Sequence, residues 1–133
     1  MTPALHPDPI YHKPAEDEPG MILDQNRELF EFSGRSMPED PASLFIPVLE
    51  WVKEYARYPN DVTEVHFRME YYNSASARFF TEFLQELEGI RHTGHEVRIC
   101  WWYDRDDQAM QERGEELQSV IDLTFEFREN PME

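Results

Sequence analysis

Between Glu64 and Tyr71 the chain alternates without a break. Val65, Phe67, Met69 and Tyr71 are apolar, and Glu64, His66, Arg68 and Glu70 are polar or charged. A period of two predicts a strand with one buried face and one polar face. After "NSAS" (73–76) the period lengthens. Phe79, Phe80, Phe83, Leu84, Leu87 and Ile90 then fall on a broad helical stripe. Val97, Ile99, Trp101 and Tyr103 form a further strand, with Cys100 and Trp102 on its second face. A strand apolar on both faces belongs inside a sheet.

The flanking segments follow the same logic. Met21–Leu23 and Glu28–Phe32 are short β-type runs joined by the polar "DQN" of 24–26, a hairpin signature. Asp40 followed by Pro41 is a helix start, with a capping acceptor and a proline in the first position. Leu44, Val48, Trp51, Val52 and Tyr55 then share one helical face, and Pro47 predicts a kink in the first turns. "YPND" (58–61) ends that helix. Asp106 to Val120 reads as a third helix with Met110, Leu117, Val120 and Ile121 inward, and Thr124 to Arg128 as a last short strand.

The order is hairpin, α, β, α, β, α, β. Strands alternating with helices predict an α/β fold with right-handed crossovers. The expected architecture is a single small domain with a mixed, mostly parallel sheet, an N-terminal β-hairpin as its antiparallel edge, and three main helices. The expected boundaries are an extended proline-rich arm over 1–19, the α/β domain over 20–128, and a short tail over 129–133. Five of the ten prolines lie in that arm, which argues against a packed helix or a central strand there.

Composition narrows the function. The 133 residues carry 28 acidic and 12 basic side chains, a net charge of -16. Such a chain is repelled by nucleic acid and by anionic membranes, so proteins, cations or basic surfaces are the expected partners. The first twenty residues have no continuous apolar core of the signal-peptide type, and no run approaches membrane-spanning length. A cytoplasmic location is expected. The single cysteine, Cys100, excludes an internal disulfide and a cysteine-only metal cage.

Candidate chemistry is sparse. His92 and His95 supply half of a zinc ligand set with nothing nearby to complete it. Asp104, Asp106 and Asp107 cluster, but their loop lacks the glycine and the distal glutamate of a calcium loop, and Asp106 or Asp107 is explained as a helix cap. A small cation-dependent enzyme built on these three aspartates is the alternative of another class. No G-x-S-x-G and no glycine-rich phosphate loop is present, and His66 has no obvious serine or cysteine partner. Neither catalytic residues nor a metal site nor a cofactor is expected.

The serines of "NSAS" are more informative. One residue among Asn73, Ser74 and Ser76 must cap the helix, yet three are available. A serine at a helix N-terminus is also a favourable place for a phosphate, with Arg78 close in sequence.

"GRSMPED" (34–40), "LFIPVLEWVKEY" (44–55), "EYYNSASAR" (70–78) and "VRICWWYDRDD" (97–107), in that order and spacing, resemble the SiaC family of bacterial regulatory phosphoproteins. The resemblance runs from about Met21 to Phe127 and implies a fold similar to the SpoIIAA-like (STAS) anti-sigma-factor antagonists. It implies a non-catalytic switch adaptor, phosphorylated by a partner kinase of the GHKL type and dephosphorylated by a metal-dependent serine/threonine phosphatase. The unmodified form would activate a diguanylate cyclase and so promote cyclic di-GMP and biofilm signalling. A second reading within this fold is an antagonist that binds an anti-sigma kinase.

The family's acceptor follows the strand-end asparagine, which makes it Ser74 here, with Ser76 as second choice. Serine departs from the usual threonine, Ala75 stands where a further hydroxyl is common, Arg78 where lysine is usual, and Asp40 where asparagine is usual. The expected partner-binding residues are Asn73, Ser74, Ser76 and Arg78, with Arg35, Ser36, Pro38 and Glu39 nearby.

Overall fold

The computed structural model describes residues 6–131. Six strands and three helices follow one another as β1 (Ile10–His12), β2 (Gly20–Asp24), β3 (Leu29–Ser36), α1 (Pro41–Tyr55), β4 (Val62–Tyr72), α2 (Ser74–His92), β5 (Glu96–Tyr103), α3 (Gln108–Val120) and β6 (Thr124–Glu129). The strands lie in one sheet in chain order. β1, β2 and β3 pair antiparallel, and β3 to β6 pair parallel. Phe30 meets Trp51 of α1, Phe32 meets Phe80 of α2 and Trp101 meets Gly114 of α3, so all three helices lie on one face of the sheet, as sequential crossovers of one hand require. No helix among the described residues is long and apolar enough to cross a membrane.

On the covered face, register aligns Phe32 with Phe67, Phe67 with Trp101, and Trp101 with Phe127. Phe32 and Phe67 stack at 5.1 Å, and Phe67 and Trp101 at 5.2 Å. Phe80 of α2 drops onto this row, tilted against Phe32 at 5.3 Å and edge-on to Phe67 and Tyr72 at 5.3 Å each. Each such ring, once fully buried, contributes about 1.5–3 kcal/mol through water exclusion alone. α3 reaches the sheet through Gly114, where a Cβ would stand 2.6 Å from Trp101 and 2.7 Å from Phe127.

The sheet extends further than the sequence pattern predicts. Ile10–His12, within the proline-rich arm, pairs with Met21–Leu23 as an edge strand. Residues 1–5 of that arm, and residues 132–133 of the tail, lie outside the described residues. The arm is tied down elsewhere as well: Trp51 Nε1 donates to Asp8 O at 2.8 Å, and Met37 N to Asp17 O at 2.8 Å.

Several local expectations are corrected. Glu28 belongs to the hairpin turn, with φ 55°, because Asp24 pairs with Leu29 and leaves four residues between the strands. α1 runs on through Pro47, which faces solvent, and Phe45 rather than Leu44 takes the fully buried position. Tyr71 leaves the inward face. The register of β3 against β4 shifts by one residue, so that Gly34 pairs with Met69 but Arg35 with Tyr71. A bulge of this kind turns the following side chains over; Tyr72 is buried and Tyr71 is exposed. Gly34, at φ 80°, supplies the backbone conformation opposite the bulge. Val120, the last residue of α3, is 67 % exposed, while Ile121 turns inward.

Candidate functional site

The end of β4 and the start of α2 share one anchor. Asn73 is the N-cap of α2: its Oδ1 accepts from Ser76 N at 2.9 Å. Its own N–H donates to Ser36 O, at the end of β3, at 3.0 Å. Ser76 Oγ donates to the same carbonyl at 3.2 Å and lies 2.7 Å from Ser36 Oγ. Both hydroxyls are fully buried. Since Ser76 gives its proton to the carbonyl, Ser36 Oγ donates to Ser76 Oγ, and both buried hydroxyls are satisfied.

Ser74 is different. It occupies the first position of α2, is exposed, and its hydroxyl has no hydrogen-bond partner among the described residues. Asn73 does the capping, so the capping role does not explain Ser74.

Ser74 opens onto a cavity of about 450 Å³ between the N-terminal ends of α1 and α2, shared with Asp40, Ala42, Arg78 and Phe79. Asp40 caps α1, accepting from Ser43 N at 3.3 Å and Ser43 Oγ at 2.6 Å. The Ser43 hydroxyl, followed by its amide, holds the Asp40 carboxyl below the usual range. Beyond Asp40 lies a second cavity, about 580 Å³, with Glu16, Asp17, Glu18 and Glu39 on its walls.

On the far side of the junction the exposed ring of Tyr71 lies between Arg35 and Arg113, whose guanidinium carbons are 5.5 and 5.4 Å from its centroid. Arg113 is held there by Tyr72 O at 2.7 Å and sits 4.6 Å over the Tyr72 ring. Burial pushes the Tyr72 phenol up to about 12.

The structure therefore brings together most of the residues expected from the sequence. Ser74 and Arg78 line the α1–α2 cavity, Asn73 caps α2 immediately before Ser74, Glu39 adjoins the cavity through Asp40, and Arg35 flanks Tyr71. Ser36 and Ser76 are buried and support this surface from beneath, while Pro38, largely buried, lines the second cavity beside Glu39. Arg113 carries no signal in the sequence: it is distant in the chain and arrives only through the packing of α3.

The other candidates are placed elsewhere. Asp107 caps α3 through Met110 N at 3.1 Å, and Asp104 accepts from Asn130 Nδ2 at 2.9 Å. His92 lies 3.4 Å from Asp122. His66, expected to have no cysteine partner, stands directly beside Cys100 across the β4–β5 pairing. Strand register, invisible in the sequence, brings them together.

Comparison with known proteins gives this surface a context. Residues 12–130 match the model of the SiaC family, described as regulatory phosphoproteins. The chain belongs to the SiaC family. It is 28 % identical over 112 residues to an uncharacterized protein of Pseudomonas aeruginosa strain UCBPP-PA14, covering 84 % of this chain and 87 % of that one. The crystal structure of apo-SiaC from Pseudomonas aeruginosa superposes with a TM-score of 0.84 at 25 % identity, covering 91 % of this chain and 98 % of that one. A second SiaC structure, at TM-score 0.85 and 24 % identity over 91 % of this chain and 99 % of that one, shares the fold. In that crystal SiaC is in complex with the diguanylate cyclase SiaD, whose activator it is.

Proposed function

We propose that this SiaC-family protein is a switch adaptor without catalysis of its own, and that reversible phosphorylation of Ser74 controls its docking on a diguanylate cyclase. The observation that carries this reading is the freedom of the Ser74 hydroxyl: it is exposed, and the neighbouring Asn73 has already taken the capping role. Ser76, the alternative acceptor, is fully buried against Ser36. A kinase would have to unwind the start of α2 to reach it.

The effect of a phosphate follows from the cavity. A phosphoryl group brings a charge of about -1.5 to -2. On Ser74 it would occupy the space between α1 and α2 and face the Asp40 carboxylate, with Arg78 as the cation on the cavity wall. A partner side chain that enters the cavity of the unmodified protein is thereby excluded, and an acidic partner surface is repelled. The fold need not change. A GHKL-type kinase would write the mark, a metal-dependent serine/threonine phosphatase would remove it, and cyclic di-GMP output would follow the unmodified form.

Peptide mass spectrometry on protein from its own cells, with Ser74→Ala as control, tests the modification. Cyclase binding and cyclic di-GMP synthesis with the two purified forms test the switch. The expected result is one phosphate on the Ser74 peptide and weaker cyclase binding by that form. A Ser74 peptide that stays unmodified even when the phosphatase is deleted, or equal cyclase binding by both forms, overturns the reading.

A further inference from the structure

Among the described residues no helix covers the second face of the sheet, and one row there combines three kinds of metal donor. His66 on β4, Cys100 on β5 and Glu126 on β6 stand abreast in parallel register. Glu64, two residues before His66, points to the same face. One donor atom each from Glu64, His66 and Cys100 lies within 4.8 Å of the others. Glu64 Oε2 is 3.1 Å from His66 Nε2, and Glu126 Oε2 is 3.8 Å from Cys100 Sγ.

We propose that Glu64, His66, Cys100 and Glu126 form a binding site for a thiophilic divalent metal ion of the zinc class. One nitrogen, one sulfur and two carboxylates make a four-coordinate set of the kind zinc takes. With zinc bonds of about 2.0–2.3 Å, tetrahedral donors sit about 3.4 Å apart, so Glu64, His66 and Cys100, within 4.8 Å of one another, must close by at most about 1.4 Å, and Glu126 must swing in from beside Cys100 to complete the set.

The surrounding groups shape the selectivity. Arg128 holds Glu126 at 2.7 Å, and Arg98 lies 3.8 Å from the Glu64 oxygen that does not face His66. These arginines orient the carboxylates and also cancel their charge. A magnesium or calcium ion, which depends on carboxylate charge, gains little here; an ion that bonds to sulfur and nitrogen gains more. Cys100 Sγ is the donor toward Glu126 Oε2, so the thiol carries a proton that a bound metal must displace.

Metal entry has a built-in reporter. Trp102 Nε1 donates to His66 Nδ1 at 3.0 Å, which leaves the imidazole proton on Nε2, directed at Glu64. To ligate through Nε2 the ring must move that proton to Nδ1. Trp102 must then release its hydrogen bond, because two donors would face each other. The balance is one thiol proton released to solvent per metal bound, with the imidazole neutral throughout. The Trp102 ring lies beneath Arg68 at 3.8 Å, on the exposed side of the sheet, where its emission can follow the change.

The test is a titration of chelator-treated full-length protein with zinc(II) by calorimetry and with cobalt(II) by absorbance. The expected result is one ion per chain, a thiolate-to-cobalt charge-transfer band, a tryptophan emission change absent in Trp102→Phe, and no heat with magnesium. Cys100→Ser and His66→Gln should each weaken binding by about 100-fold or more, beyond the 10–100-fold seen for outer-sphere changes. Circular dichroism confirms that each variant is folded. If Cys100→Ser does not fold, His66→Gln and Glu126→Gln decide the matter. Absence of the charge-transfer band in the parent protein overturns the site. So does zinc affinity within about twofold of the parent in the folded ligand variants, which assigns the metal to surface groups such as His92 and Asp122 instead.

Discussion

The two faces of the sheet are built from the same strands, one residue out of step. On one face the row Phe32, Phe67, Trp101 and Phe127 lies under three helices; on the other, the adjacent row Glu31, His66, Cys100 and Glu126 has no helix above it among the described residues. The covered row is held by ring stacking and exclusion of water. The open row is held by ion pairs and hydrogen bonds between half-buried groups, such as Arg68 to Glu31 at 3.0 Å. Water exclusion scales with area and resists salt; exposed ion pairs are worth little and are screened. Stability should therefore reside on one face and chemical variety on the other.

The widest test of that contrast compares two adjacent tryptophans. Trp101 is fully buried in the covered row. Trp101→Ala should cost about 3–5 kcal/mol in urea unfolding, enough to leave the protein barely folded. A loss below about 1 kcal/mol would mean the helices do not depend on that row.

Gly114 tests the same face from the helix side. Gly114→Ala puts a methyl into Trp101 and Phe127. It should destabilise by about 1–3 kcal/mol although alanine favours helices, because overpacking outweighs propensity. A stabilised variant would show that α3 can lift away at no cost.

The α2 junction repeats the contrast on a smaller scale. Ser76→Ala leaves the Ser36 hydroxyl without its acceptor in a dry site, and should cost about 1–2 kcal/mol. Trp102→Ala, on the open face, should cost about 1 kcal/mol through its lost contacts with Arg68 and Arg128, and that loss should shrink in high salt. Ser74→Ala should move stability by less than about 0.5 kcal/mol while abolishing phosphorylation. Equal thermal shifts for Ser74→Ala and Ser76→Ala would erase the distinction between a structural serine and a free one.

Much of this protein can be read directly from its residue pattern. The alternation at 64–70, the stripe from Phe79 to Ile90 and the Asp40–Pro41 start each specify an element through local geometry, since burial must recur every two or every 3.6 residues. The order of those elements then implies a mostly parallel sheet joined by right-handed crossovers, while the sequential strand order, which puts all three helices on one face, is seen only in the structure. The candidate serine is legible too, because "NSAS" offers more caps than one helix needs. Two things required the tertiary structure. The first is which serine is free: Ser74 and Ser76 share one local context, and only the arrival of Ser36 from β3 buries one of them. The second is register. The bulge opposite Gly34 turns Tyr71 outward, and the pairing of three strands places His66, Cys100 and Glu126 side by side. Periodicity states which way a side chain points along its own strand. Its neighbours across the sheet are set by where each chain crossing ends, and that is decided by how the helices pack.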